Sequence, residues 1–265
     1  MITKFYSDIT DGQILFLLPA VSVCVMYGLG VLFKWLLSKS RAVIDLEIID
    51  TATQNAMSGA YVVLGFVLVL AMTTVTDLDN NVSQEATAIK SLERLLVLDG
   101  SAPALESRAK LIKYTKSIID DEWPVLVEGH GSPVTSLALN DFYMSLSSIA
   151  PRDDKDEIVF SKVLELSDRV AELRNTRNYS IESNLPDTFY LVSILAIAGA
   201  VVICALRLVK ASVTGGIVLA IQVALLTLMF SAILIVDLPY LGDTATSFEP
   251  ISKAMESMVA RKSGT

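Results

Sequence analysis

The sequence predicts an all-α membrane protein: four transmembrane helices in two hairpins, with an extramembrane four-helix bundle between spans 2 and 3. Three observations lead there. Apolar residues concentrate in four long runs, at residues 14–33, 56–75, 188–206 and 213–236. Each is about 20 residues, enough at about 1.5 Å per residue to cross a hydrocarbon core of ~30 Å. The charges avoid these runs: the chain is 52% hydrophobic yet 19% charged, and residues 75–186 hold 19 Asp and Glu against 12 Lys and Arg, a net −7 of the total −8. An Asp, Lys or Arg at the centre of a membrane helix costs ~2.5–3.5 kcal/mol, which explains the segregation. Finally, apolar residues in the charged middle recur at helical spacing, and no strand-like alternation of useful length interrupts them.

Four segments follow: an N-terminal transmembrane hairpin at 1–75, an acidic helical bundle at 76–186, a C-terminal transmembrane hairpin at 187–237 and a tail at 238–265. The first run is too long for a cleaved signal core and lacks a small-x-small site after it, so it is expected to stay as a membrane helix. The second continues beyond its apolar part, since Glu85, Ile89, Leu92 and Leu96 repeat at helical spacing. Gly100 and Pro103 break it. Ser101 can cap the next helix, with Leu105, Ala109, Ile112 and Ile119 expected on its packed face, to an end near Trp123 and Pro124. Residues 128–133 read as a loop, and Ser132 followed by Pro133 starts a helix running to Ala150 and Pro151. Asp153 opens a last bundle helix whose Val159, Val163, Leu166, Val170 and Leu173 form an apolar seam. It leads through Leu185 and Pro186 into the third span, and the tail turns helical again at 249–259.

Short loops carry the orientation signal. Lys34, Lys39 and Arg41 follow the first span, and Arg207 and Lys210 separate the third from the fourth. Basic residues favour the cytoplasmic side, so both termini and the acidic bundle are expected outside. The acidity excludes nucleic acid as a partner, because that requires a basic footprint, and it opposes docking on anionic lipid. It leaves the bundle as a candidate surface for a protein partner.

Residues that could carry chemistry are sparse. His130, the lone histidine, sits between two glycines in a loop, and Cys24 and Cys204 both lie in apolar runs, where packing is their expected role. The acidic clusters at 120–122 and 153–157 suit a helix end and a helix start, and no EF-hand spacing exists, so neither a metal nor another cofactor is expected. No catalytic constellation can be assembled, which argues against an enzyme. Gln222, deep in an apolar run, is expected to hydrogen-bond a neighbouring helix. The small-residue stripes Ala196-Ala200-Cys204 and Gly216-Ala220-Ala224 allow close helix contact within one subunit or between subunits. Gly59, Phe66 and Thr73 on the second span are pore-lining candidates, with a constriction near Phe66. Glu85 is open to three roles: a solvated helix position, a partner for Arg94 or an arginine farther along the bundle, or a group at a vestibule mouth. Asp237, with Pro239 and Gly242 behind it, marks a helix stop at the membrane boundary, or else a partner for Arg174 or Arg177.

The run Glu85-Ala86-x-Ala88-Ile89, then Leu92, Arg94-Leu95-Leu96, Tyr114 and Glu122-Trp123, resembles the bestrophin-like domain family of bacterial integral membrane proteins, a domain of unknown function. Arg169, Arg174, Arg177 and Leu185-Pro186 match that family's approach to its third span. Asp237-x-Pro239-Tyr240-x-Gly242 matches its closing motif, with Tyr240 where Phe is usual. The resemblance runs from about residue 59 to 255 and rests on the order and spacing of short motifs. It implies a bacterial inner (plasma) membrane protein, multi-pass and homo-oligomeric in the lipid bilayer. Through the family's distant likeness to bestrophins, it also implies an ion channel for anions with the second span along the path. Bestrophins are pentameric and calcium-gated, and they keep their termini and large loop in the cytosol; the calcium-clasp pattern is not evident here, and the charge bias points the other way. A non-catalytic membrane scaffold or sensor, binding a protein through the acidic bundle, is the alternative.

Overall fold

Helices form wherever the apolar periodicity demands them. The computed structural model describes residues 11–40, 45–126, 128–180, 185–240 and 245–262, and among these every regular element is a helix. They are α1 (Asp11–Ser40), α2 (Leu46–Asp99), α3 (Ala102–Ser117), a π-helical turn (Ile118–Glu122) leading into α4 (Trp123–Leu126), α5 (Pro133–Leu146), α6 (Asp154–Tyr179), α7 (Asp187–Leu208), α8 (Val213–Val236) and α9 (Glu249–Lys262). Four of them, α1, α2, α7 and α8, are long and apolar enough to cross a membrane. The chain divides into two compact units, Met1–Thr74 with Ser183–Thr244, and Val75–Glu182 with Ala245–Thr265.

In the first unit α1 packs on α7 and α8, and α7 on α8. Their shared core includes Met26 of α1, Met57, Leu64 and Val67 of α2, Ala200 and Cys204 of α7, and Val223 and Leu226 of α8. Small residues let the helices approach: a Cβ on Gly30 would meet the Leu208 side chain at 2.8 Å. Cys204 packs as expected, but Cys24 is exposed. Polar atoms in the apolar helices find partners across them. Ser22 Oγ lies 3.0 Å from Thr227 Oγ1 and also donates to the carbonyl of Pro19, a proline inside α1. Tyr27 donates to the Gly216 carbonyl and Tyr61 to the Gln222 carbonyl. The bond expected from the Gln222 amide is thus made by its backbone.

In the second unit α3 packs on α5 and α9. Its helix ends are built as the sequence predicts. Gly100 takes a φ of +65°, the left-handed conformation that only glycine adopts without strain, and ends α2. Ser101, Ser132 and Asp153 each accept an amide of the following helix at 3.3, 3.3 and 2.8 Å. One expectation is overturned. The buried face of α3 is not Leu105, Ala109 and Ile112 but Ala104, Ser107, Arg108, Leu111, Tyr114 and Thr115. Arg108 and Tyr114 reach carboxylates in the interior, so polar side chains occupy positions that a purely apolar pattern assigns to solvent. Helix α5 also ends at Leu146, short of Pro151.

Candidate functional site

The residues picked from the sequence fall into three places. Gly59, Phe66 and Thr73 share one face of α2 with Val62 and Val69, stepping by three and four residues. This face is turned away from the core of its unit: Val62 is 72%, Phe66 64% and Val69 63% exposed. A Cβ on Gly59 would meet nothing within 4 Å. Thr73 returns its hydroxyl to the Val69 carbonyl at 2.9 Å, so no polar hydrogen is left seeking a partner there. No acidic or basic residue occurs from 51 to 76. Across residues 75–99 the outward side of α2 carries Asp77, Asn80, Ser83, Gln84 and Thr87.

The second place is a buried ionic cluster in the second unit. Arg177, fully buried on α6, donates to both Glu85 oxygens, at 2.8 and 3.2 Å, and to Glu122 at 2.7 Å. Arg174, one turn earlier, forks onto the same Glu122 through Nε at 3.1 Å and a terminal nitrogen at 2.5 Å, and also reaches Ser136 Oγ at 2.9 Å. Tyr114 approaches Glu85 at 3.4 Å, and the Arg177 guanidinium lies 5.5 Å from the centre of the Trp123 ring. Two carboxylates thus face two guanidiniums without surplus charge, the condition under which buried ions are tolerated. Burial pushes the Glu122 carboxyl up, but the Arg174 hydrogen bond and the Arg177 and Arg174 charges outweigh it and hold the group below its ordinary value. Burial opposes the Arg177 charge, and Glu85 and Glu122 together raise it above its usual value. Burial and then Glu85 push the Tyr114 hydroxyl far above the phenol range, so it stays a neutral donor.

Glu85 is therefore not a solvated position, and its partner is the distant Arg177, not Arg94, which is exposed. Sequence reasoning missed a further cluster in the same unit. Glu93, fully buried, takes Arg108 at 2.8 Å and also pairs with Arg261 of α9, while Arg108 donates to the Met258 carbonyl at 2.8 Å. The signal was phase: Glu93 stands beside Leu92 on the side of α2 that buries Ile89 and Leu96.

The third place is the end of α8 in the first unit. Asp237, 3% exposed, accepts the Leu185 amide at 3.0 Å and the Tyr190 hydroxyl. Within its own unit the carboxylate thus ties the end of α8 to the start of α7, with Pro239 and Tyr240 buried behind it. Gly242 lies outside the described residues.

Comparison with known proteins bears on the fold and the family. No curated protein matches the chain. Two crystal structures share its fold at 10% identity. One, described as a membrane protein, has a TM-score of 0.70 over 95% of this chain and 99% of its own. The other, a bacterial bestrophin homolog from Klebsiella pneumoniae, has 0.68 over 93% and 98%. At that identity the likeness is one of fold. The profile of the bestrophin-like domain matches residues 24–251, reaching back into the first apolar helix, and with four apolar helices of spanning length this makes the chain a multi-pass membrane protein of the bestrophin-like domain family.

Proposed function

We propose that the protein is a homo-oligomeric ion channel in which the outward face of α2 lines the path. The carrying observation is the face itself: Gly59, Val62, Phe66, Val69 and Thr73 are not used to pack their own unit, in a stretch without charge. A large aromatic between small or β-branched residues suits a hydrophobic constriction that gates by dewetting. In this reading the four apolar helices cross the bilayer as two hairpins and the second unit stands outside it as a helical bundle. The basic loops after α1 and α7 face the cytoplasm of a bacterial inner membrane. The likeness to bestrophins favours small anions. Asp77, four residues beyond Thr73 in the sequence, opposes anion entry in this reading and sets how strong that preference is.

Recording from purified protein in planar bilayers tests the reading. Selective unitary currents are expected, altered in size by Phe66→Ala and shifted towards anions by Asp77→Asn. Silence across voltages and ions would overturn it. Silence would favour a second reading, a membrane scaffold that binds a protein through its bundle. That reading rests on a groove of about 410 Å³ in the second unit, where Asp120, Asp121 and Asp141, with Lys113 and Lys116, border the exposed Val134 and Leu137.

A further inference from the structure

A cleft in the membrane-spanning unit offers chemistry that conduction does not require. It measures about 680 Å³ and lies where the first turns of α2 meet the end of α7 and the start of α8. That volume suits a small organic group or a lipid headgroup. Its walls are neither plain core nor plain solvent. Gln54, Ser58, Thr214 and Gln222 line it together with Met57, Val218 and Leu219. Tyr61 closes one wall, held by its bond to the Gln222 carbonyl at 3.0 Å.

The rim carries one group of each sign. Arg207 of α7 donates through Nε to one oxygen of Asp50 on α2. The pair is partly open, at 26% and 55% side-chain exposure. Among the described residues, the terminal guanidinium nitrogens of Arg207 and the second oxygen of Asp50 have no other partner. Four N–H donors and one carboxylate oxygen thus remain available at the rim. Beside them stands the start of α8, capped by Ser212, which adds a positive dipole end. From the cleft outward, α8 presents the exposed apolar side chains Val213, Ile217, Val218 and Ile221.

We infer that this cleft binds a phospholipid with a zwitterionic amine headgroup, a phosphatidylethanolamine. The phosphate meets the free nitrogens of Arg207 and the start of α8, the ammonium meets the free oxygen of Asp50, and an acyl chain follows Ile217 and Ile221. A headgroup with phosphate alone places its charge against Asp50 and leaves the second oxygen of that carboxylate without a donor. A trimethylated amine carries the right charge but has no N–H to give it. The pair of opposite charges is therefore what selects the ligand.

The experiment is native mass spectrometry of the full chain in mild detergent. It is titrated separately with phosphatidylethanolamine, phosphatidylcholine, phosphatidylglycerol and free phosphoethanolamine. The expected result is retention of phosphatidylethanolamine about tenfold more tightly than either other lipid, the worth of one charge-assisted hydrogen bond. Asp50→Asn should erase that preference while leaving phosphatidylglycerol bound. Arg207→Gln should weaken all three lipids, and Arg207→Lys should restore part of the loss. Equal retention of the three lipids by the unaltered chain overturns the inference, and that ranking stands even where a variant fails to fold. Free phosphoethanolamine binding as tightly as the lipid overturns it too, since the acyl groove would then contribute nothing.

Discussion

Arg177 is the residue on which the second unit turns, because its guanidinium has no exposed surface and its charge is answered by the carboxylates of Glu85 and Glu122. Removing one partner from a buried ion pair costs roughly 3–5 kcal/mol, since the other charge stays behind uncompensated. Glu85→Ala should therefore lower the stability of the purified protein by about that amount. Arg94→Ala, at an exposed site nine residues along the same helix, should leave the thermal midpoint unmoved. Equal midpoints for the two variants would remove the cluster from the interior. Acid titration gives a second check. The carboxyl of Glu122 is lowered in the folded state from an ordinary value of 4.5. Its contribution is therefore complete above pH 4.5 and is lost as pH falls through the lower folded value. Glu122→Gln should flatten that part of the acid-unfolding curve, measured by circular dichroism, while lowering stability at neutral pH. Glu85 and both arginines were legible as candidates and Glu122 only as part of an acidic helix end, but not who pairs with whom. Glu85 lies close in sequence to Arg94, and only the packing of α6 against α2 brings Arg177 instead.

At the scale of elements, caps and long apolar runs were the most legible features because their causes are local. A serine or aspartate that accepts an amide three residues on, or a glycine at positive φ, is decided within one turn of chain. The face of α3 was misread because a stripe bearing Arg108 and Tyr114 reads as solvent-facing until its buried partners are known. The π-helical turn before Pro124 was also hidden. Its closing amide, from Trp123, reaches the Ile118 carbonyl five residues back, just before a proline that has no amide to give. Helix α9 offers the sharpest test at this scale. It buries Ile251, Ala254 and Met258, and its Arg261 supplies one of two guanidiniums to Glu93. Each large apolar side chain buried is worth roughly 1.5–3 kcal/mol, so deleting residues 249–265 should cost roughly 3–6 kcal/mol in denaturant unfolding followed by Trp123 fluorescence. Trp123 reports on this region because Phe248, at the start of α9, meets its ring edge-on at 5.8 Å. An unchanged midpoint would show that α9 adds nothing to the second unit.

For the whole molecule, the question left to the chain's surface is what covers the outward face of α2. Hydropathy alone does not distinguish a face against lipid, against a second copy or along a wet path, because apolar side chains serve all three. This is why the membrane helices were legible in the sequence and the use of their surfaces was not. Chemistry at single positions separates the cases. A charged, water-soluble thiol reagent attacks the thiolate and needs water at the site. In a background with Cys24→Ser, leaving only the buried Cys204, cysteines placed at Gly59, Phe66 and Thr73 should react in membranes. Those at Ala60 and Ala71, buried in the core of the same unit, should not. Nor should those at Val31 and Leu195, which are as exposed as Phe66 but lie on α1 and α7, outside the proposed path. Reaction at residue 66 should also block the current. If Phe66→Cys stays as inert as Leu195→Cys, then α2 turns this face to hydrocarbon or to a dry contact, and the path for ions must be sought elsewhere in the assembly.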